Sequence, residues 1–117
     1  MSTGIIFYGW NRSVPGREQM SAVHFQEYVG YLAELQQNGS IDSFEVVLLR
    51  PHGGDLNGFF LIRGDSDQLD ALQASDEYLD HLTRGGLHLE GSGAVRGVTG
   101  EGVMDWMSRW SEVVSSL

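Results

Sequence analysis

The chain has 117 residues, and its sixteen carboxylates outweigh seven basic side chains to give a formal net charge of −9. Such a field repels phosphate backbones and anionic membranes, so neither a nucleic acid nor a membrane surface is an expected partner. Cysteine is absent, which excludes disulfides, thiolate metal sites and cysteine nucleophiles. Every basic residue is arginine, which excludes a Schiff-base lysine.

The length fits one domain over residues 1–117. The Met1-Ser2-Thr3-Gly4 start lacks the basic region and apolar stretch of a signal peptide, and no apolar run approaches the ~20 residues of a membrane span. A soluble, cytoplasmic protein is the expectation.

Gly4 to Trp10 is rich in β-branched and aromatic residues, and Pro15-Gly16 follows in a turn-forming stretch, so this is a first strand. From about Pro15 to Asn38, Met20, Tyr28, Tyr31, Leu32 and Leu35 recur at helical spacing opposite Gln19, Gln26, Glu27, Glu34 and Gln37. That predicts a long amphipathic helix capped at Asn38-Gly39. Ser43–Arg50 and Leu56–Arg63 read as two strands joined by the hairpin-like Pro51-His52-Gly53-Gly54-Asp55. Asp65 or Ser66 can cap a helix through Gln73, and Ser75 or Asp76 a further short one through about Thr83, ended by Arg84-Gly85-Gly86. Leu87–Val98 follows as a fourth, glycine-interrupted strand. In a last helix, Val103, Trp106, Met107, Trp110, Val113 and Val114 form an apolar stripe.

The order is β-α-β, β-α-β, then a helix. Two interleaved crossover units in one four-stranded antiparallel sheet give a ferredoxin-like α+β fold. Its crossover helices cover one sheet face only, so the strands of a monomer should alternate apolar with polar. They do not: Ile5 and Phe7 oppose Ile6, Tyr8 and Trp10, and Phe59 and Leu61 oppose Phe60 and Ile62. Exposing a second apolar face forgoes about 1.5–3 kcal/mol for each such side chain, so a homodimer is expected. The alternative cover is the C-terminal helix, folded back over the sheet or extending the dimer interface.

Phe59-Phe60-Leu61-Ile62-Arg63-Gly64, a short acidic helix, and Ser75-Asp76-Glu77-Tyr78-Leu79-Asp80-His81-Leu82 together resemble the dimeric alpha-beta barrel superfamily, in which two ferredoxin-like subunits pack sheet against sheet. The resemblance runs from Ile5 to about Val98; these segments are similar to those of small barrel proteins such as the antibiotic biosynthesis monooxygenases, and the chain resembles uncharacterised bacterial barrel proteins more than any named enzyme, especially across Pro51–Phe60. It implies a cavity between sheet and helices for a small aromatic or polyketide-like ligand, with no cofactor.

Such a site needs aromatic walls and a histidine of near-neutral pKa to move a proton. His24, inside the apolar stripe of the first helix, is the expected proton acceptor, with Tyr28 one turn on as its partner. Tyr8, Trp10 and Phe59 are candidate walls. Arg50 and His52 enter the glycine-rich loop and Arg63 ends a strand, where an arginine can grip a carboxylate or phenolate. Tyr78 and His81 resemble a tyrosine and histidine that act together in the family's cyclases. His88 has no partner that sequence can name. No His-x-His or His-x₃-His pair occurs, so no metal ligand is assigned.

Three functions follow. One is a cofactor-independent monooxygenase or cyclase/isomerase; the second is a non-catalytic ligand-binding or interaction module. The third, a structural dimer without a cavity, requires His24 and Tyr28 to be packed with no void beside them.

Overall fold

The computed structural model describes residues 3–117. The elements run β1 (Gly4–Trp10), β2 (Arg12–Ser13), α1 (Glu18–Gln37), β3 (Ser43–Leu48), β4 (Gly58–Gly64), α2 (Ser66–Gln73), α3 (Asp76–His88), β5 (Leu89–Glu90), β6 (Gly93–Val98) and α4 (Glu101–Ser115). Four strands form one antiparallel sheet in the order β3-β4-β1-β6, with β1 and β4 central. This is the expected ferredoxin-like α+β arrangement.

Register decides which side chains share a face. Ile6 lies opposite Ile62, and Tyr8 opposite Phe60. These four, joined by Tyr28, Tyr31 and Leu32 of α1, Ile41 before β3, Leu69 and Leu72 of α2 and Tyr78 of α3, form the buried core. In α1 the buried positions His24, Tyr28, Tyr31 and Leu32 are one helical stripe. Met20, expected on it, is 48% exposed, because the stripe passes over the sheet only from the second turn onward. The α1 C-terminus closes on Gly39, whose φ of +83° is the left-handed conformation that follows many helix ends. Asp65 caps α2 in a reciprocal capping box with Gln68, and Ser75 caps α3.

Two boundaries differ from the sequence reading in a way that matters for function. Helix α3 does not stop at Thr83; it runs through Arg84-Gly85-Gly86 to His88. Gly85 is required for packing, since a Cβ there would lie 2.1 Å from the Tyr8 hydroxyl oxygen. The expected Leu87–Val98 strand is two short pieces, β5 and β6, parted by Gly91 at φ +65°. Strand β5 pairs with β2 as a separate two-stranded ribbon. Ribbon bonds from Asn11 N–H to the Glu90 carbonyl and from Val14 N–H to the His88 carbonyl tie the end of β1 to the end of α3. The Arg17 guanidinium donates to the Leu87 carbonyl, a free acceptor of the last α3 turn. At the hairpin, β3 ends at Leu48 and β4 starts at Gly58.

The sheet face turned away from the helices carries Phe7 stacked on Phe59 at 4.8 Å, together with Leu61, Val47 and the Glu45–Arg63 ion pair. It is only partly covered, and Val95 is 60% exposed. Helix α4 does not cover it. From Val103 onward every residue of α4 is exposed, Trp106 and Trp110 included, and only Gly102, against Val98 and Thr3, is buried. No helix among the described residues is long and apolar enough to cross a membrane.

Candidate functional site

Helix α1 presents Ser21, His24, Phe25 and Tyr28 at i, i+3, i+4 and i+7, one face of a helix, toward the end of the sheet. Opposite them β1 supplies Tyr8 and Trp10 and β4 supplies Phe60. The last turn of α3 and the ribbon bring His88 and Ser13. Between these groups lies a cavity of about 270 Å³, with exposed Leu48 and Ala22 at its rim. That is at the small end of ligand sites, which suits a compact molecule of one or two rings. Gly58 lets the Trp10 indole lie over β4, because a Cβ there would come within 2.6 Å of the ring. The void beside His24 and Tyr28 does not fit the cavity-free structural dimer.

The polar groups of the cavity wall form one hydrogen-bonded file. Ser13 Oγ lies 2.7 Å from Ser21 Oγ, and Ser21 Oγ lies 2.7 Å from His88 Nδ1. His88 Nε2 is 2.7 Å from His24 Nδ1, and His24 Nε2 is 3.0 Å from His81 Nδ1. Ring centroids 5.0 Å apart for His24–His88 and 5.2 Å for His24–His81 fit imidazoles meeting edge to edge along N–H···N bonds. His24 and His88 are only 3% and 2% exposed. His81 is half-buried against Tyr31, beyond the cavity wall and close to surface charges.

Burial disfavours the imidazolium throughout the file. It pushes His24 down to about 4, with the positive field of Arg84 adding to the effect, the nearness of His88 and His81 disfavouring a second charge, and Glu27 opposing it. His81 and His88 are also lowered, again chiefly by burial. All three histidines are therefore neutral at pH 7. The Tyr8 phenol is pushed up to about 12 by burial, and Tyr28 is raised further for the same reason. Their hydroxyls are buried and make no hydrogen bond with the protein. An unmet hydroxyl of this kind costs about 1–3 kcal/mol, so a polar ligand atom that reached either would be held there.

The sequence-derived candidates divide cleanly. His24, Tyr28, Tyr8 and Trp10 line this cavity, and His81 joins it through His24. Tyr28 is not hydrogen-bonded to His24; its ring meets the imidazole edge-on at 6.1 Å. Tyr78 is buried in the core under α3. Phe59 lies on the opposite sheet face, where Phe60 takes its place as a wall, and Arg63 is on that same face paired to Glu45 at 2.9 Å. Arg50 and His52 sit in the exposed hairpin loop. There the His52 ring accepts from Gly54 N–H and bonds the Leu56 carbonyl, which shapes the loop.

Ser13 and Ser21 carry no signal in the sequence, and His88, which sequence leaves without a partner, finds its partners in His24 and Ser21. A signal for His88 was present, because His81, Gly85 and His88 fall on one face of a helix continued past Gly86. Among the described residues no group of three or more His, Cys, Asp or Glu side chains is arranged around one metal position.

No protein-family model matches the sequence, and no curated protein matches it. Solved structures of similar fold include two from bacteria. One is a dimeric protein of unknown function and ferredoxin-like fold from Bacteroides fragilis, 16% identical over 81% of this chain and 95% of that one, with a TM-score of 0.57. The other is SnoaB, a cofactor-independent oxygenase from Streptomyces nogalater, 18% identical over 84% of this chain and 92% of that one, with a TM-score of 0.50. At these identities the likeness is one of fold: the chain has a ferredoxin-like fold.

Proposed function

We propose that the chain is a homodimeric, cofactor-independent enzyme that removes a proton from a small aromatic or polyketide-like molecule. The carbanion or phenolate so formed is the common starting point of reaction with dioxygen, in a monooxygenase, and of ring closure or isomerisation. The observation that carries this reading is the buried, neutral His24–His88 pair in the wall of an aromatic cavity. At neutral pH these imidazoles are in the unprotonated form that can accept a proton, and aromatic walls bind a flat substrate without specific polar contacts. The similarity of fold to a cofactor-independent oxygenase supports the same class.

The homodimer is supported by the half-bare sheet face, by the exposed stripe of α4, and by the dimeric state of the Bacteroides fragilis protein of like fold. Contiguous exposed apolar surface of this kind marks an interface. Sedimentation at micromolar concentration is expected to give a dimer, and a stable monomer there would refute it.

The catalytic reading is tested with hydroxylated tetralones and naphthols, following product formation and dioxygen uptake. Turnover that disappears in His24→Ala, in a protein that still folds and dimerises, is the expected result. Unchanged turnover in that variant removes His24 from the mechanism. Saturable binding with no conversion selects a ligand-binding module instead, a reading favoured by one observation: both nitrogens of His24 are already bonded to other histidines.

A further inference from the structure

Counting hydrogens along the histidine file fixes what it can do. Each imidazole–imidazole contact, His88 Nε2 with His24 Nδ1 and His24 Nε2 with His81 Nδ1, holds one hydrogen. Two would collide, and none would set lone pair against lone pair. Three neutral imidazoles carry three N–H hydrogens, so the one left over sits at an end, on His81 Nε2 or on His88 Nδ1. In the first state the Ser21 hydroxyl donates to His88 Nδ1; in the second His88 Nδ1 donates to Ser21 Oγ. The two states differ by a shift of every hydrogen in the file by one place. A proton cannot enter at one end of the neutral file without another leaving at the other, unless the file becomes charged, which burial opposes.

The same bookkeeping shows where a ligand must connect. His24 and His88 both line the cavity, yet all four of their ring nitrogens are engaged within the file. The cavity end of the file is instead the Ser21 hydroxyl, which lines the cavity with Ser13 beside it. At the far end, His81 is half-buried and outside the cavity lining. The charges acting there are Glu77, Asp80 and Arg84 from α3 and Glu27 from α1, which bonds to the Arg84 guanidinium. On His88 the acting charge is Arg84, and on His24 they are Arg84 and Glu27.

We propose that Ser21, His88, His24 and His81 form a proton relay that carries a proton from a weakly acidic ligand, a ketone or phenol, out of the cavity to solvent. This inference rests on the reading of the cavity as a site of proton removal. The ligand's C–H or O–H proton passes to Ser21 Oγ as the Ser21 hydroxyl hydrogen passes to His88 Nδ1. The hydrogen on His88 Nε2 moves to His24 Nδ1, that on His24 Nε2 to His81 Nδ1, and that on His81 Nε2 to water. The ligand is left as its enolate or phenolate, and no group is oxidised or reduced. Ser21 is thus the catalytic residue, whereas His24 and His81 act through it.

Two measurements on the full-length protein test this. With ¹⁵N-labelled histidine, NMR is expected to show N–N couplings across hydrogen bonds from both His24 nitrogens, one to His88 and one to His81. In His81→Phe only the coupling to His88 persists. Absence of these couplings in the wild type overturns the file. The second measurement is exchange of the α-hydrogens of 2-tetralone, a bicyclic ketone, in D₂O. Wild type is expected to accelerate it over buffer, and Ser21→Ala and His81→Phe to lose at least about 10-fold of that acceleration. His81→Ala is expected to recover with added imidazole, which a merely structural role would not produce. Full exchange in Ser21→Ala and His81→Phe, with loss in His24→Ala, overturns the relay and leaves the catalytic reading standing. No acceleration by wild type, with the couplings present, overturns proton removal in the cavity and the relay with it.

Discussion

On its helix-covered side the sheet sets Ile6, Tyr8, Phe60 and Ile62 against α1, α2 and α3, and each is at most 3% exposed. On the other side Phe7, Phe59, Leu61 and Val47 are side chains of the same kinds, yet they stay partly exposed. Residue type does not separate the two sets; what covers them does. Crossovers of the same hand send the helices to one face, so the second face, where Ile5 alone of the apolar β1 side chains is buried, lacks a covering layer from its own chain. The covered face can therefore hold an aromatic cavity and buried, neutral histidines, and the bare face is left to association.

The comparison breaks first on truncations one residue apart. Ile62→Ala is expected to cost about 2–5 kcal/mol in urea unfolding, the range for deleting a core aliphatic side chain. Leu61→Ala should cost well under half of that in dilute protein, and more as concentration rises and a dimer forms. Equal, concentration-independent losses would show that both faces are core.

Acid should act on the covered face next. An unfolded histidine titrates near 6.5, whereas His24 in the fold is held near 4. Between those values the unfolded chain takes up a proton that the folded chain refuses. The stabilisation is complete above about pH 6.5 and is lost as the pH falls toward 4, by on the order of 3 kcal/mol. Unfolding measured across this window checks it, and His24→Gln should flatten the slope.

Gly85→Ala is smaller, about 1–3 kcal/mol, because the added methyl must displace the Tyr8 hydroxyl. A thermal melt measures it. Smallest in folding stability is Trp110→Glu on exposed α4, within about 0.5 kcal/mol. If α4 joins the dimer interface, the same change should still weaken self-association at least 10-fold by sedimentation. An unaffected dimer would confine the interface to the sheet.

The fold was largely legible because strands and helices carry their periods in single residues: the β1 run and the α1 stripe with its Asn38-Gly39 stop are local patterns. The site was legible only where it lay on such patterns, as with His24, Tyr28, Tyr8 and Trp10. The end of α3 was misread because Arg84-Gly85-Gly86 has the composition of a helix stop, while the tertiary reason for Gly85, the Tyr8 hydroxyl, lies 77 residues away in the chain. That error placed His88 on a strand and hid the file. Phe59 and Phe60 were interchangeable by composition, and only the register against β1 shows which one faces α1.

The β2–β5 ribbon bears on time as well as on place. It spans only two residues on each side, yet it fixes the spacing between Ser13, Ser21 and His88. The bonds it positions join residues 64 and 67 apart in sequence, so closing them carries the entropy of a long intervening loop. Formation of the histidine file is therefore expected late in folding. A probe of the His24–His88 bond during refolding would time the completion of the molecule, after the helix and hairpin signals have already settled.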